Sequence, residues 1–552
     1  MTSAGPRPLP GPRRRRGRRA AGIIAAAAVA AGLAAGPGAG PAAAARGTGA
    51  PGPATRGAAA GATASRRIAA IMRRPAYRHG RWGLLEVTGS AGRTVRAQSA
   101  RTAISPGALA GLFPVAAAWS VLGGGHRFVT PVYAVGSRSG DTLTGNLVLV
   151  ASGDQALGGR TTRTGRIAFT SVDHSDAGRA PGAALTPQNP LAGLTRLARQ
   201  VRLAGITQVA GNVIIDTRLF AAPAMSPAPA PVSINDNLID VQARPGRTGG
   251  PARLSWRPHV APYQVTSTVR TVRSGGRTRV RIAHRDGGTR IAVSGTIAAG
   301  SRPVLRVSPV ASPAAFARTA FFQALNRAGV SIGASPTGAN PAGLLPHSYA
   351  GAARVAAYTS PSYAQFARFI LKTGDRLGAN LAICLLAAHA GRHDCQAGFA
   401  VLRRFLRRAG VSPGGVQLAD GGGASPADRV TPAAVVALLR YWLHASQGSR
   451  FRRALPALGE NGTLAASCAG CPARGRVFAA AGRVLAPDLV RGRLTILGET
   501  AAGYLDTRHG RPDVFFAGVG GGTAAGRPAA RRSAAGLAGI AAILQEAAAR
   551  GR

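Results

Sequence analysis

The sequence predicts a mixed α/β protein that carries a β-rich inserted region. Helical apolar periodicity and alternating strand patterns follow each other over residues 66–165 and again over residues 346–552. Between them, residues 166–345 consist mostly of short alternating strands punctuated by Gly and Pro. The chain has 552 residues, of which 46% are hydrophobic, so it is long enough for two to four domains with ordinary cores.

The first 65 residues contain two segments that precede the predicted domains. Arg13–Arg16 form a basic run, Ala20–Ala35 is apolar, and Ala42–Ala45 supply small residues for cleavage. This order predicts a secretory signal peptide over residues 1–45 and an extracytoplasmic, cell-wall location. The alternative is a retained N-terminal anchor, which the alanine-rich run disfavours because a spanning helix needs about 20 clearly apolar residues. Residues 46–65 are rich in Ala, Gly, Pro and Thr and predict a flexible linker.

The first predicted part, residues 66–165, opens with an apolar helical face and continues with a hairpin, a buried helix and two strands. The glycines at 123–125 predict the end of that helix. The segments are the face of Ile68, Ile71 and Met72, the hairpin of Trp82–Val87 and Thr94–Ala97, the helix Leu109–Leu122, and the strands Phe128–Val135 and Thr142–Ala151.

The remaining two parts differ in their balance of helix and strand. In residues 166–345 the predicted strands are Asn212–Asp216, Val265–Val272 and Thr278–Ile282, and the helices are Leu191–Leu203 and Ala314–Ala328. In residues 346–552 the predicted helices are Tyr363–His389, Ala397–Ala409 and Ala534–Ala549, and the strands are Leu494–Leu505 and Val514–Val519.

Four cysteines accord with export to an oxidising compartment. Their spacing predicts two local disulfides, Cys384–Cys395 and Cys468–Cys471. The second pair forms a CxxC sequence, which could instead be a redox pair, although no thioredoxin-like context surrounds it. His389, His393 and Cys395 could alternatively bind a metal, but the set lacks further ligands, so the sequence predicts no metal and no cofactor.

The formal net charge is +50, from 69 Lys and Arg against 19 Asp and Glu. Such a charge favours anionic partners. The arginines are scattered and rarely interleave with aromatic residues, and no nucleic-acid-binding motif is present. A nucleic-acid or membrane-surface binder is therefore ranked last, and anionic wall polymers or peptidoglycan are the predicted partners. Nothing indicates an oligomeric state.

Several stretches, taken in order, resemble penicillin-binding D-alanyl-D-alanine carboxypeptidase–endopeptidases, which are serine peptidases of the low-molecular-mass class C. The resemblance covers most of the chain after residue 80 and implies a penicillin-binding, β-lactamase-like transpeptidase fold with a long insertion after the first motif. The stretches are Pro106–Phe113, Ala116–Gly123, His126–Phe128, Pro131–Ala134, Gly145–Val150, Gly153–Asp154, Ile234–Asp240, Ser360–Ser362, Asp420–Gly421, Arg429–Pro432, Gly462–Leu464 and Ala502–Leu505.

The resemblance implies chemistry that needs three motifs. In SxxK a serine attacks the acyl carbonyl and a lysine one helical turn along accepts its proton. SxN adds a hydroxyl and an amide, and KTG supplies an edge strand whose lysine binds the substrate carboxylate. Alignment of the flanks places Ala108 and Gly111 at the first motif. It places Gly374-Asp375-Arg376 at the second motif and Ala480-Ala481-Gly482 at the third, so the resemblance implies that all three motifs are lost.

A count of lysines supports the loss without any alignment. Lys372 is the only lysine, whereas the family uses two, and Phe369 rather than serine stands three residues before it. Lys372-Thr373-Gly374 spells KTG, but it lies in a helical pattern and cannot serve as an edge strand. Ser233-Ile234-Asn235 spells SxN within the predicted insertion, where so short a match is expected by chance.

Other residues could in principle replace the missing nucleophile. Ser105, Ser120 and Ser425 lack an identified base, and serines near turns are usually caps. A Ser-His-Asp triad stays open because its members meet only in space. The sequence therefore predicts a non-catalytic homologue that binds the wall or a partner. Its altered groove has Arg376 in one motif position and Arg483 beside another, and whether that groove binds a ligand stays open. The alternative is an active serine-type carboxypeptidase, a hydrolase, that uses an unrecognised nucleophile.

Overall fold

The computed structural model describes residues 53–551 apart from residues 222, 469 and 509. The predicted signal peptide and residues 46–52 of the predicted linker lie outside the described residues. Within the described part the α-helices are α1 (Pro53–Met72), α2 (Leu112–Leu122), α3 (Ala192–Leu203), α4 (Pro313–Arg327), α5 (Tyr363–Thr373), α6 (Arg376–His389), α7 (Ala397–Arg408), α8 (Pro432–His444), α9 (Gly448–Ala454) and α10 (Arg527–Ala549).

The strands of the same part are β1 (Arg81–Val87), β2 (Thr94–Gln98), β3 (Arg127–Ser139), β4 (Thr142–Val150), β5 (Gln208–Val209), β6 (Val213–Asp216), β7 (Leu238–Arg244), β8 (Arg253–Arg257), β9 (Gln264–Ser267), β10 (Arg270–Val272), β11 (Arg279–Arg285), β12 (Arg290–Ala298), β13 (Val304–Pro309), β14 (Ser331–Ile332), β15 (Ala353–Ser362), β16 (Val416–Gln417), β17 (Arg429–Val430), β18 (Val477–Asp488), β19 (Arg493–Leu505), β20 (Asp513–Gly520) and β21 (Gly522–Ala524).

One antiparallel sheet joins the two ends of the described chain. Its strands run in the order β18-β19-β20-β1-β2, with β21 also paired to β19, and β1 and β2 form the predicted hairpin. Helices cover both faces of this sheet. As a result, most residues of β19 and β20 are buried, rather than only those on one side. Strand β18 lies at the edge of this sheet: on its outer side Phe478 forms an antiparallel bridge with Ala457, and no named strand of the described part pairs with the residues beyond it.

Helix α1 corrects the prediction of a flexible linker over residues 46–65, because it begins at Pro53 and continues to Met72. Its Ala64, Ile68 and Ile71 are buried in the same core cluster as Leu537 and Ile540 of α10. Alanine is the strongest helix former, and the helix is stabilised by burying one face against the carboxyl-terminal helix. Composition alone could not distinguish a helix from a linker here, since an alanine-rich stretch is typical of both.

Helix α2 lies at the centre of the largest core. It follows a 3₁₀ turn at Gly107–Gly111, and its residues from Leu112 to Trp119 are all buried. A helix that is apolar on every side must be enclosed. It packs against α5, α6 and α7. Gly123 ends it with φ of +88°, a conformation that favours glycine, as the sequence predicted.

A separate core belongs to the β-rich region. Strands β14, β5, β4, β3 and β15 form its main sheet in that order, β6 also pairs with β4, and β7–β13 form two smaller sheets. This core begins at Val132 and ends at Tyr358, so it extends beyond the predicted range of 166–345 on both sides. The difference arises because β3 and β4 pack their alternating side chains on α3 and α4 rather than on α2. In the described part, no helix combines the length and apolarity that crossing a membrane requires.

Candidate functional site

A groove of about 810 Å³ opens between the edge strand β18, the turn before α2 and the junction of α5 and α6. It brings together most of the residues that the sequence assigned to the three lost motifs: Ala108, Gly374, Arg376, Ala481 and Gly482 line it. The loop at residues 463–471, Thr500 and one side of α10 complete the lining. Positions more than 370 residues apart in the sequence therefore meet at one place.

Ala108 and Gly374 are in direct proximity inside this groove. A Cβ atom built on Gly374 would lie 3.4 Å from the Ala108 Cβ and 3.6 Å from the Thr463 Cγ2. Gly374 follows the last residue of α5 with φ of +67°, the left-handed conformation that commonly ends a helix. Neither position offers a nucleophile, a base or a hydrogen-bonding side chain.

Strand β18 approaches the same turn from the other side. A Cβ atom on Gly482 would lie 2.0 Å from the Pro106 carbonyl oxygen and 2.9 Å from the Ala108 amide nitrogen. Glycine is therefore required at 482 to let the edge strand contact the turn. Ala480 is buried toward the core of α2, whereas Ala481 lines the groove. An alanine pair leaves this strand without a cation at either position.

The position predicted for the base lysine, Gly111, also carries no side chain. A Cβ on Gly111 would lie 3.2 Å from the Ala379 Cβ, which is a tight contact. Lys372 is buried on α5, and its Nζ donates hydrogen bonds to the Leu455 carbonyl and, at 2.6 Å, to Asn461 Oδ1. Burial and the nearby charge of Arg368 lower the pKa of Lys372 to about 8. As predicted, this lysine lies on a helix, and it serves to hold the 455–461 loop.

Other polar groups along the groove are engaged in structural contacts. Thr500 Oγ1 donates to the Pro106 carbonyl at 2.7 Å, and Thr373 Oγ1 donates to the Phe369 carbonyl at 2.9 Å. Glu499 accepts hydrogen bonds from Tyr77 at 2.8 Å and Ser533 at 3.0 Å, and burial raises its pKa. The groove therefore offers few free functional groups apart from its arginines.

The serines proposed as substitutes have different surroundings. Ser105 is buried and its hydroxyl has no hydrogen-bond partner in the described part. Ser425 caps a turn, because its Oγ accepts from the Ala427 amide at 3.1 Å. Within the described part, one Ser–His pair is hydrogen-bonded: Ser308 Oγ lies 3.0 Å from His284 Nδ1 in the β-rich region. Ser308 is fully buried there, and no hydrogen bond joins His284 to a carboxylate, so the pair lacks the third member of a triad.

The predicted cysteine pairs stand at bonding distance. Cys384 and Cys395 are joined with an S–S distance of 2.05 Å, and both are buried next to α2. Cys468 is joined to Cys471, and these two residues line the groove. The disulfide leaves Cys395 without a thiolate, which the alternative of a metal set at His389, His393 and Cys395 requires. His393 Nδ1 lies 3.2 Å from the Leu219 carbonyl oxygen.

A buried ionic network lies behind the second motif, which we call the Arg160 network. Arg160 donates to Asp173 at 2.6 and 3.0 Å and to Asp236 at 2.6 Å. His174 contacts Asp236 through Nε2 at 2.8 Å and Asp240 through Nδ1 at 2.6 Å. All five residues are buried. Because the network spans residues 160–174 and 236–240, it fixes the segment before α3 against the start of β7.

Protonation in the Arg160 network follows from this pairing. Burial alone would disfavour the charged imidazole, but the negative charge of Asp240 and the hydrogen bonds that the ring donates to the Asp236 and Asp240 carboxylates raise the pKa of His174 to about 10. The charges of Arg160 and His174 hold the pKa of Asp236 far below its usual range, although burial opposes this. Asp173, His174 and Asp236 could geometrically hold a metal ion. However, both ring nitrogens contact carboxylates and Arg160 occupies the same oxygens, so the carboxylates already have cationic partners.

The network reaches the groove through Gln155 and Asp375. Gln155 Nε2 donates to Asp375 Oδ2 at 2.5 Å and to Asp236 Oδ1 at 3.4 Å. Asp375 also caps α6 by accepting from the Gly378 amide at 2.8 Å. Burial, with the repulsion of Asp236, raises the pKa of Asp375 to about 7. Asp375, the middle residue at the second-motif position, is therefore a buried structural group, and it does not line the groove.

Arg376 is one of five arginines that line the groove. Burial and repulsion from Arg179 lower its pKa, and Asp176 lies near both arginines. Sequence reasoning missed Asp176 and Arg179, which the Arg160 network places at the mouth of the groove. A signal was available: in a chain with 19 acidic residues, Asp173, Asp176, Asp236 and Asp240 are conspicuous, and buried arginine or histidine partners could have been sought for them.

Comparison with known structures identifies the fold. Penicillin-binding protein 4 (dacB) from Haemophilus influenzae superposes with a TM-score of 0.63 at 17% identity, covering 85% of this chain and 97% of that one. The same protein in complex with a β-lactam gives 0.62 at 17% identity, covering 88% and 99%. The mixed sheets, the central helix and the β-rich insertion therefore form a penicillin-binding fold.

Sequence comparison identifies the family. The model of the D-Ala-D-Ala carboxypeptidase 3 (S13) family matches residues 64–531, and the chain belongs to that family. The D-alanyl-D-alanine carboxypeptidase of Actinomadura sp. (strain R39) is 25% identical over 471 residues, which is 81% of each chain. The resemblance noted from the motif flanks is thus confirmed over most of the sequence.

Proposed function

We propose that this protein acts in peptidoglycan metabolism as a non-catalytic member of its family, which binds wall peptides or a partner enzyme in the groove. The carrying observation is the meeting of Ala108 and Gly374, with 3.4 Å between the Ala108 Cβ and a Cβ built at 374. A serine peptidase of this kind needs a hydroxyl at such a meeting point and a lysine beside it. Here the only lysine is bound to Leu455 and Asn461.

The proposal includes export through the predicted signal peptide. Two cysteine pairs at bonding distance support an oxidising compartment. The relatives named as carboxypeptidases and penicillin-binding proteins support a wall ligand, because a groove of about 810 Å³ persists where their fold predicts one. Binding there does not require the motif side chains, since peptide backbone can pair with the outer edge of β18 beyond Ala479.

Labelling with fluorescent penicillin tests the loss of catalysis. The purified protein is expected to form no covalent adduct, whereas the H. influenzae protein, which binds a β-lactam in its complex, serves as the positive control. An adduct on any serine or threonine, located by mass spectrometry, would establish the alternative of an active carboxypeptidase with an unrecognised nucleophile.

Restoring the motifs separates the three losses. The variant Ala108→Ser/Gly111→Lys is expected to stay unlabelled, because positions 374, 376, 480 and 481 still lack their polar groups. A variant that adds Gly374→Ser, Arg376→Asn and Ala481→Thr, which change the positions that line the groove, is expected to gain labelling. Full labelling of the double variant would mean that the second and third motifs matter less than proposed.

Co-sedimentation with purified insoluble peptidoglycan tests the binding function. The protein is expected in the pellet, and Arg376→Ala is expected to weaken that retention while leaving thermal unfolding unchanged. Arg404→Ala, an exposed arginine on α7 far along the chain from every motif position, is the control for net charge. Equal retention of the Arg376→Ala and Arg404→Ala variants would mean that the groove does not contribute to peptidoglycan binding.

A further inference from the structure

A second cleft, about 590 Å³ in volume, adjoins the groove and is lined by five arginines, and we call it the arginine cleft. It lies between the 177–183 segment, residues 302–306 at the start of β13, and the first turns of α10. Five of its fourteen lining residues are arginine, against 69 Lys and Arg in the 552 residues of the chain. The arginines are Arg179, Arg302, Arg306, Arg527 and Arg531.

These cations lack acidic partners in the cleft itself. No Asp or Glu lines it, and within the described part none of the five forms an ion pair within 4.0 Å. Arg306 is oriented by protein carbonyls, since its Nε donates to Val280 at 2.9 Å and its Nη1 to Leu305 at 2.8 Å. Asp176 is close enough to interact with Arg179, but it lies on the groove side. Like charges that share one concavity repel each other, and a bound anion would relieve that repulsion.

Helix α10 adds to the positive potential. Its first turn carries no acidic residue, and Gly526 before it supplies no side-chain cap. The amino-terminal end of a helix is already positive, so Arg527 and Arg531 on its first turns reinforce rather than offset that charge. The pattern is the reverse of what helix stability alone would favour.

The arginine cleft is continuous with the groove, because Arg179, Ala180 and Arg531 line both. A linear ligand could therefore extend from one into the other. A guanidinium group can form two parallel hydrogen bonds to one phosphate. Several neighbouring arginines can therefore bind successive phosphates of one chain. The remaining lining is Ala, Gly, Pro, Val and Leu, with no aromatic side chain on which a nucleobase could stack.

We propose that the arginine cleft binds a linear phosphodiester polymer without bases, of the kind carried by cell envelopes. This site is separate from the motif positions, and the inference holds whether or not the groove has lost catalysis. The wall location that the sequence predicts brings such a polymer within reach. The protein would then bind the envelope through two adjoining features, a peptide-sized groove and a phosphate-binding cleft.

The test measures binding of fluorescently labelled poly(glycerol phosphate) to the full chain by anisotropy at several NaCl concentrations. The variant Arg302→Ala/Arg527→Ala changes two exposed arginines that line the cleft but not the groove. Its affinity is expected to fall by about tenfold or more, with a shallower salt dependence, because two phosphate contacts are lost. Arg404→Ala/Arg408→Ala on α7 removes the same charge from exposed positions elsewhere and is expected to change affinity less than about twofold.

Two results would overturn the proposal. Equal losses in both double variants would mean that binding follows the net charge of +50 rather than the cleft. Tighter binding of an oligothymidine with the same number of phosphates, lost in the cleft variant, would make nucleic acid the ligand. Unchanged retention on purified peptidoglycan and unchanged thermal unfolding in all variants would separate either outcome from failure of the proposed function.

Discussion

The groove and the Arg160 network lie side by side and differ in almost every chemical respect. Of the motif positions along the groove, all but Arg376 are occupied by Ala and Gly, which offer no polar side chain. In the network each carboxylate has a partner: Arg160 holds Asp173 and Asp236, and His174 holds Asp236 and Asp240. The two regions are connected through the hydrogen bonds of Gln155 with Asp236 and Asp375, and through the turn from His174 to Asp176.

The difference shows that the scaffold and the chemistry of this fold are held by different residues. A nucleophile can become alanine at little cost in stability, because Ala108 stays half-buried and its neighbours lose no hydrogen bond. Removing one member of a buried ionic set leaves an unpaired charge, which is expensive. The fold therefore does not depend on polar side chains at the aligned motif positions, provided that the network and the close glycine contacts are intact.

The largest expected effect comes from Arg160→Ala. This change leaves Asp173 and Asp236 buried beside each other without their main cation, and it should cost about 3–5 kcal/mol of unfolding free energy. Urea denaturation followed by circular dichroism measures it. Arg290→Ala is the matched control, because its pair with Asp286 is 67% and 60% exposed and should cost less than about 0.5 kcal/mol. Similar losses for both variants would show that the network does not carry the stability assigned to it.

The protonation of His174 gives the second prediction. Its pKa is raised to about 10 in the folded protein from an ordinary value near 6.5, so its stabilisation is complete below pH 6.5 and is lost as pH rises toward 10. Asp375 acts in the same direction at lower pH, since its raised pKa of about 7 makes ionisation costly between about pH 4 and 7. Between pH 7 and 10 the protein should lose roughly 3–4 kcal/mol through His174, since each pH unit over most of this range removes about 1.4 kcal/mol.

The variant His174→Gln isolates this contribution, because glutamine keeps a hydrogen bond but cannot be protonated. The difference in unfolding free energy between the original protein and the variant should shrink from pH 7 to pH 10. A difference that is constant over this range would mean that His174 is neutral in the folded protein and that the charge balance of the network is other than described.

Much of the fold was predictable from local patterns, and what escaped was non-local. The central helix and its end were predicted from the apolar stretch Leu109–Leu122 and from Gly123, because an apolar helix that ends at a glycine is a local signal. Helix α1 was missed because an alanine-rich stretch becomes a stable helix only when α10 covers it. The boundary of the β-rich region was misplaced because β3 and β4 alternate like any strand, and their choice of core depends on α3 and α4.

The candidate site divides in the same way. The motif flanks located Ala108, Gly374 and Gly482 by their order along the chain, and the structure places all three on one groove. The Arg160 network and the arginine cleft were not predicted, because each assembles residues from segments that share no sequence pattern. Such sets are fixed by packing and charge pairing after the chain has folded.

The smallest effect, and the most specific, is expected from Gly482→Ala. The added methyl group would lie 2.0 Å from the Pro106 carbonyl oxygen, so β18 or the turn before α2 must shift, at a cost of about 1–3 kcal/mol. Gly343→Ala is the control, since a Cβ there meets nothing within 4 Å and its φ is ordinary. Thermal unfolding measures both. If Gly482→Ala lowered the melting temperature no more than the control, the contact between β18 and the turn before α2 would not depend on glycine at 482. The shape of the groove would then have to be explained by other contacts.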